Sequence, residues 1–120
     1  MKKVLVVEDS KSEQRLMMGL LKAIGLEVAL VENGEAALGW LSENQQPDLI
    51  LLDIVMPGIS GLDLCRKIRQ ELKLNTVPIV FCSTKDQEYD RFWALRQGGN
   101  AYLIKPYSPT DLVKTVQAYL

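Results

Sequence analysis

Leu49-Ile50-Leu51-Leu52-Asp53-Ile54-Val55-Met56-Pro57-Gly58-Ile59-Ser60-Gly61 decides the fold. A continuous aliphatic run stops at a single carboxylate, and a proline with two glycines then makes a tight loop. Strands that are apolar at every position are buried on both faces, as in parallel sheets. The same plan recurs along the chain. Val4-Leu5-Val6-Val7 runs into Glu8-Asp9, Ile79-Val80-Phe81-Cys82 into Ser83-Thr84, and Tyr102-Leu103-Ile104 into Lys105. In an open parallel sheet the C-terminal strand ends share one edge, where ligands bind. Glu8, Asp9, Asp53, Ser83 and Lys105 are therefore expected in one site.

Strand and helix alternate five times. Strands are predicted near residues 3–8, 27–31, 48–53, 78–82 and 101–104, with 27–31 at an edge because its apolar residues alternate with polar ones. Helical spacing is carried by Leu16, Met17, Leu20, Leu21 and Ile24, then by Ala37, Leu38 and Leu41. It continues in Leu64, Ile68 and Leu72, in Phe92 and Leu95, and in Leu112, Val113 and Val116. Ser10 with Glu13 and Thr84 with Gln87 have the spacing of capping boxes. Asn33-Gly34 opens the second helix, and Ser108-Pro109 places proline at a first helical position. Gly25 and Gly98-Gly99 stand where helices stop. Five βα units with right-handed crossovers make a doubly wound sheet, and residues 1–120 are expected to form one domain.

Bulk composition narrows the function. The chain has 120 residues, 48% of them hydrophobic, enough for a real core. A net charge of −1 argues against a dedicated nucleic-acid surface. Histidine is absent, which excludes His-based catalysis and most zinc sites. Cys65 and Cys82 fit no metal spacing and are expected to be buried, reduced thiols. No stretch reaches the ~20 apolar residues of a membrane span. A soluble, cytoplasmic protein is expected.

The polar residues at the strand ends suit phosphoryl chemistry. Mg²⁺ takes hard oxygen ligands, usually one or two carboxylates, and keeps several waters. Asp9 and Asp53 supply two carboxylates, and the longer Glu8 reaches the ion directly or through water. With Mg²⁺ and Lys105 present, the formal charges of the cluster cancel; without the metal the carboxylates repel one another. A carboxylate at the floor of an open cleft can attack phosphorus and form an acyl phosphate. A metal and Lys105 would neutralise the transferring phosphoryl oxygens, and Ser83 could donate a hydrogen bond to one of them.

Over its whole length the chain resembles the receiver domain of bacterial two-component response regulators, of the CheY type. The resemblance rests on the acidic pair after the first strand, on Asp53 with Met56-Pro57-Gly58 and Gly61, on Ser83, and on Tyr102 before Lys105-Pro106. It implies a flavodoxin-like α/β fold with strand order 2-1-3-4-5. It makes Asp53 the phosphoacceptor, charged from a phosphohistidine on a sensor histidine kinase or phosphotransfer protein. Glu8, Asp9, Asp53 and the Val55 carbonyl become the Mg²⁺ ligands. Ser83 becomes the switch hydroxyl, Tyr102 the aromatic that turns inward with it, and Lys105 the partner of the phosphoryl oxygens. The fourth helix, fifth strand and fifth helix become the surface that reports the state to a downstream target protein. Residues two places after Asp53 and Ser83 tune phosphate lifetime in this family. Val55 offers no polar group to an attacking water, so slow or partner-dependent dephosphorylation is expected.

Tyr89 and Trp93 lie four apart on the predicted fourth helix, on a face separate from Phe92 and Leu95, and are candidates for a partner surface. Trp40 is expected to be partly buried, and Arg91, Arg96 and Lys114 to solvate their helices. Phe92-Trp93-Ala94-Leu95-Arg96-Gln97-Gly98 with Asn100-Ala101-Tyr102 is similar to stand-alone receivers of the pilus, twitching-motility or phototaxis type. The expected product is a monomeric, non-enzymatic switch that catalyses only its own phosphorylation and dephosphorylation. The main rival is a phosphorylation-independent binding module of the same fold. A phosphohydrolase of the haloacid dehalogenase type wants a second Asp where Val55 stands. A flavin carrier needs a hydroxyl- and glycine-rich phosphate loop where Glu8-Asp9-Ser10-Lys11 stands.

Overall fold

A computed structural model describes residues 1–120. Five parallel strands, β1 (Lys3–Val7), β2 (Glu27–Val31), β3 (Leu49–Leu52), β4 (Ile79–Ser83) and β5 (Ala101–Ile104), form one sheet in the order β2-β1-β3-β4-β5. Helices α1 (Lys11–Ala23), α2 (Gly34–Glu43), α3 (Gly61–Gln70), α4 (Glu88–Arg96) and α5 (Pro109–Ala118) connect and follow them. The sheet order and the edge position of residues 27–31 agree with expectation.

Strand alternation divides the core in two. Leu5, Val7, Ile50, Leu52, Ile79 and Phe81 face α2, α3 and α4, where they meet Ala37, Leu41, Leu64, Cys65, Ile68 and Ala94. Val4, Val6, Leu49, Leu51, Val80 and Cys82 face α1 and α5, where they meet Met17, Leu21, Leu112 and Val116. Each central strand is covered on both sides, which explains why its sequence is apolar at every position. Cys65 and Cys82 are free, buried thiols on opposite faces of the sheet.

Several local expectations need correction. The β4 strand starts at Ile79 and ends at Ser83, one residue later than predicted at each end. Pro78 has no N–H to pair, although its carbonyl still accepts from Ile50 N at 2.9 Å. Ser10 caps α1 by accepting from Glu13 N at 3.5 Å, but its own N–H donates to Glu8 Oε2 rather than to Glu13, so the box is one-sided. Thr84 caps nothing: α4 begins at Glu88, with Gln87 N donating to Asp90 Oδ2. The backbone of Lys85 is bonded to Ser83 and Tyr102, which holds the segment before α4 out of the helix. Asn33, Ser60 and Ser108 cap α2, α3 and α5 by accepting from Ala36, Asp63 and Asp111 N.

Leu16, grouped with the core face of α1, is exposed, and its place in the buried line Gln14-Met17-Leu21 is taken by Gln14. On α4 the predicted packing residues Phe92 and Leu95 are also exposed, and only Ala94 is buried. The small residue lets the helix backbone approach the sheet, and the Ala94 carbonyl accepts from Gly99 N at 3.1 Å in the turn that ends α4. No helix is long and apolar enough to cross a membrane.

Candidate functional site

At the C-terminal end of β1, Glu8 continues the sheet by donating its N–H to Val31 O at 3.1 Å. Its side chain is buried, and both carboxylate oxygens have partners. Oε1 accepts from Lys105 Nζ at 2.5 Å and Oε2 from Ser10 N at 3.1 Å. The buried Gln14 side chain donates to the Glu8 carbonyl at 2.7 Å and fixes the turn into α1. Asp9, next in the chain, is exposed.

Asp53 follows β3 and sits beside Glu8 across the strand pair, its N–H donating to Val7 O at 3.3 Å. Its Oδ1 accepts from Ile54 N at 2.6 Å and Val55 N at 3.4 Å, and its Oδ2 from Lys105 Nζ at 3.2 Å. Gly61 explains why the loop can close so tightly. Its N–H donates to Ile54 O at 2.8 Å, and a Cβ there would lie 1.9 Å from the Asp53 carbonyl oxygen. Only glycine lets the start of α3 pass this close to the residue that carries the carboxylate.

Lys105 reaches back from the end of β5, its N–H donating to Ser83 O at 2.8 Å, and its peptide bond to Pro106 is cis. The ammonium, in a side chain 8% exposed, contacts Glu8 and Asp53 and lies 3.9 Å from Glu13 Oε2. Burial works against its charge, but the Glu8 hydrogen bond and the Asp53 charge outweigh burial and hold its pKa above the ordinary lysine value. Burial pushes the Glu8 carboxyl upward, against the hydrogen bonds from Lys105 and Ser10.

Glu8, Asp9 and Asp53 each offer a carboxylate oxygen within 4.8 Å of the others. Three hard oxygen donors in that space, with one ammonium against three negative charges, fit a divalent cation of the Mg²⁺ class. Val55 lies in the loop beside Asp53, its side chain exposed and apolar.

Ser83 is fully buried at the end of β4, its Oγ accepting from Lys85 N at 3.3 Å. Tyr102 is buried as well, stacked on Phe81 with ring centroids 6.2 Å apart, and its hydroxyl donates to Lys85 O at 2.7 Å. Burial raises the Tyr102 pKa. The Lys85 backbone, through its N–H and its carbonyl, thus links the two residues.

Tyr89 and Trp93 are not part of this cluster. They lie on α4 with Tyr89 64% and Trp93 50% exposed, yet they do not stand apart from Phe92. Phe92 packs edge-on against Trp93 at 5.5 Å, and the Arg96 guanidinium lies over the Phe92 ring at 5.5 Å. Trp40 is half-buried, with Lys3 Nζ 5.7 Å from its ring centroid.

Sequence reasoning missed Gln14, Glu13 and the Lys85 backbone. Gln14 had a signal, since it stands three residues before Met17 and seven before Leu21, in line with the buried face. The other two had none, because backbone bonds and the reach of Lys105 depend on the assembled sheet.

Comparison with known proteins agrees with this geometry. The family description "Response regulator receiver domain" matches residues 4–117. PilH of Pseudomonas aeruginosa is 37% identical over 120 residues, covering 100% of this chain and 98% of PilH. Further curated relatives, transcriptional regulatory proteins among them, are longer, and the chain spans 48–52% of their length. Among solved structures, the chemotaxis response regulator CheY4 of Vibrio cholerae superposes with a TM-score of 0.91 at 29% identity, covering 100% of this chain and 99% of that one. TrrA of Thermotoga maritima, solved in complex with Mg²⁺-BeF, superposes with a TM-score of 0.88 at 31% identity over 100% of both chains.

Proposed function

The chain belongs to the response regulator receiver family of two-component systems, and from that membership we propose that it is a phosphorylation-controlled switch with Asp53 as phosphoacceptor. The carrying observation is the convergence of Glu8, Asp9, Asp53 and Lys105 from three strand ends, with Asp53 held by the amides that follow it. Residues 1–120 act as one receiver unit.

The chemistry follows from the residues. Attack of an Asp53 carboxylate oxygen on a phosphohistidine forms an O–P bond, breaks the P–N bond and leaves the donor imidazole to take up a proton. The bonds from Ile54 and Val55 N hold one Asp53 oxygen and fix the direction of the other. Lys105 supplies positive charge beside the phosphoryl oxygens. Glu8, Asp9, Asp53 and the Val55 carbonyl would hold Mg²⁺, which supplies further charge neutralisation when bound. The Mg²⁺-BeF complex of the relative TrrA supports this assignment. Ser83 and Tyr102, joined through the Lys85 backbone, carry the change to α4.

The donor is a sensor histidine kinase or a phosphotransfer protein. The readout is binding of a target protein at α4, β5 and α5, with Tyr89 and Trp93 in that surface. The protein works in the cytoplasm as a monomer and catalyses only its own phosphorylation and dephosphorylation.

Incubation with Mg²⁺ and acetyl phosphate, followed by intact-mass measurement, tests the central claim. A phosphoryl adduct on the wild type, absent without Mg²⁺ and absent in Asp53→Ala, is expected. A folded wild type that gains no adduct and binds no beryllofluoride would favour a phosphorylation-independent binding module.

A further inference from the structure

The loop between Asp53 and α3 is pinned from an unexpected side. Glu35, in the first turn of α2, accepts a hydrogen bond from Ile59 N at 3.1 Å through Oε1. Gly58, at φ 79°, brings its Cα beneath the same carboxylate, where a Cβ would lie 2.5 Å from Oε1 and 2.9 Å from Oε2. Gly58 is glycine for its left-handed backbone, and the Glu35 carboxylate lies close against it. The contact is matched one residue earlier on α2. Gly34 meets the Ile59 side chain, and a Cβ there would lie 2.3 Å from Cγ1.

These contacts complete a set. The near end of the loop is fixed by Asp53 Oδ1 on Ile54 N and by Gly61 N on Ile54 O. Its middle is fixed by the Ile54 and Met56 side chains, buried against the α2–α3 face of the sheet. Its far end, residues 58 and 59, is held by α2. Val55, exposed and between these anchors, has only a 3.4 Å amide contact of its own, so its position depends on them.

We propose that Glu35 is a positioning residue for the phosphoacceptor loop: through Ile59 N it holds the loop so that the Val55 carbonyl is preset for the divalent cation. The proposal rests on the reading of Glu8, Asp9, Asp53 and Val55 as the cation site. Glu35 touches neither cation nor phosphoryl group. Outer contacts that orient metal ligands are worth ~10–100-fold in affinity, and one backbone hydrogen bond on an exposed helix stands at the low end of that range.

The test compares wild type, Glu35→Ala and Glu35→Gln in the full chain, by Mg²⁺ titration calorimetry and by hydrogen exchange of the Ile59 amide. Glu35→Ala is expected to weaken Mg²⁺ about tenfold and to speed Ile59 exchange roughly fivefold, the worth of one hydrogen bond. Glu35→Gln keeps the Oε1 acceptor and is expected to stay within about twofold of wild type on both measures. Unchanged Ile59 exchange in Glu35→Ala overturns the proposal, because no latch then exists. Faster exchange with unchanged Mg²⁺ affinity also overturns it, because the latch then serves stability alone. A wild type that binds no Mg²⁺ overturns the reading of the site itself and takes the proposal with it, an outcome visible without either variant.

Discussion

Substituting alanine for Gly61 tests whether the phosphoacceptor is held by backbone packing. The added Cβ would lie 1.9 Å from the Asp53 carbonyl oxygen and 2.8 Å from Ile54 Cα. A carbon and a carbonyl oxygen normally approach to about 3.3 Å, so the start of α3 and the end of β3 must part by roughly 1.4 Å. Overpacking of this kind costs about 1–3 kcal/mol, and the strained Gly61 N to Ile54 O bond adds about 1 kcal/mol. The expected loss is therefore about 2–4 kcal/mol. For a chain of this length, 1 kcal/mol corresponds to about 4 °C in Tm, which places the drop at about 8–16 °C.

The control is the same substitution at Gly39, exposed in the interior of α2 with nothing within 4 Å of the added carbon. There alanine gains helix propensity of about 1 kcal/mol, or about 4 °C. Calorimetric melts of the two variants should move in opposite directions. At a temperature where Gly61→Ala remains folded, its Mg²⁺-dependent beryllofluoride affinity should also fall by about tenfold or more, because Asp53 has shifted by an ångström. A Gly61→Ala protein that melts within about 2 °C of wild type would refute the packing argument, since 2 °C is about 0.5 kcal/mol.

Lys105→Met leaves the buried Glu8 and the Asp53 carboxylate without their shared cation. It should cost about 3 kcal/mol in Mg²⁺-free buffer, and added Mg²⁺ should stabilise the variant more than the wild type in parallel thermal melts. Cys65 and Cys82 are pushed by burial up to about 11 and about 12 from the ordinary value of 9.0. The fold thus prefers both thiols protonated, so this stability is complete below about pH 9 and is lost as pH rises through the folded values. Denaturant titrations should show the decline, and a thiol reagent at pH 8 should label the chain only after unfolding. Val55→Asn adds a polar group beside Asp53 that can orient an attacking water, and phosphoprotein decay followed by mass should accelerate several-fold. Decay no faster than wild type would remove Val55 as the cause of a long phosphate lifetime.

The sheet was legible because buried parallel strands leave little freedom in their sequence. Residues 49–52 are apolar at every position since Leu49 and Leu51 face α1 and α5 while Ile50 and Leu52 face α2 and α3. The strand-end residues were legible for the same reason, as the first polar group after such a run lies at the sheet edge. Pairing within the site was not. Lys105 meets Glu8 across 97 positions, and only the assembled order of the strands brings them together. Helix α4 misled because its apolar residues are numerous but few are buried. Phe92 and Leu95 have helical spacing, yet the sheet admits only Ala94 at close range. Spacing reports which residues share a face, and it does not report which face the body covers.

That weak anchoring bears on how the site communicates. Helix α3 buries Leu64, Cys65 and Ile68, whereas α4 buries Ala94 alone. Resistance to displacement scales with buried contact, so α4 and the segment before it are the elements that a small force moves first. The Lys85 backbone lies in that segment, held by Ser83 Oγ on one side and the Tyr102 hydroxyl on the other. Asp53 and Ser83 stand on adjacent strand ends, each strand buried on both faces and unable to yield. A new hydrogen bond that the Ser83 hydroxyl donates toward a group on Asp53 turns its side chain, and Lys85 N, which donates to the same Oγ, must then follow it or lose its acceptor. The strain then falls on Lys85 and α4, the side of the site where the fold opposes it least.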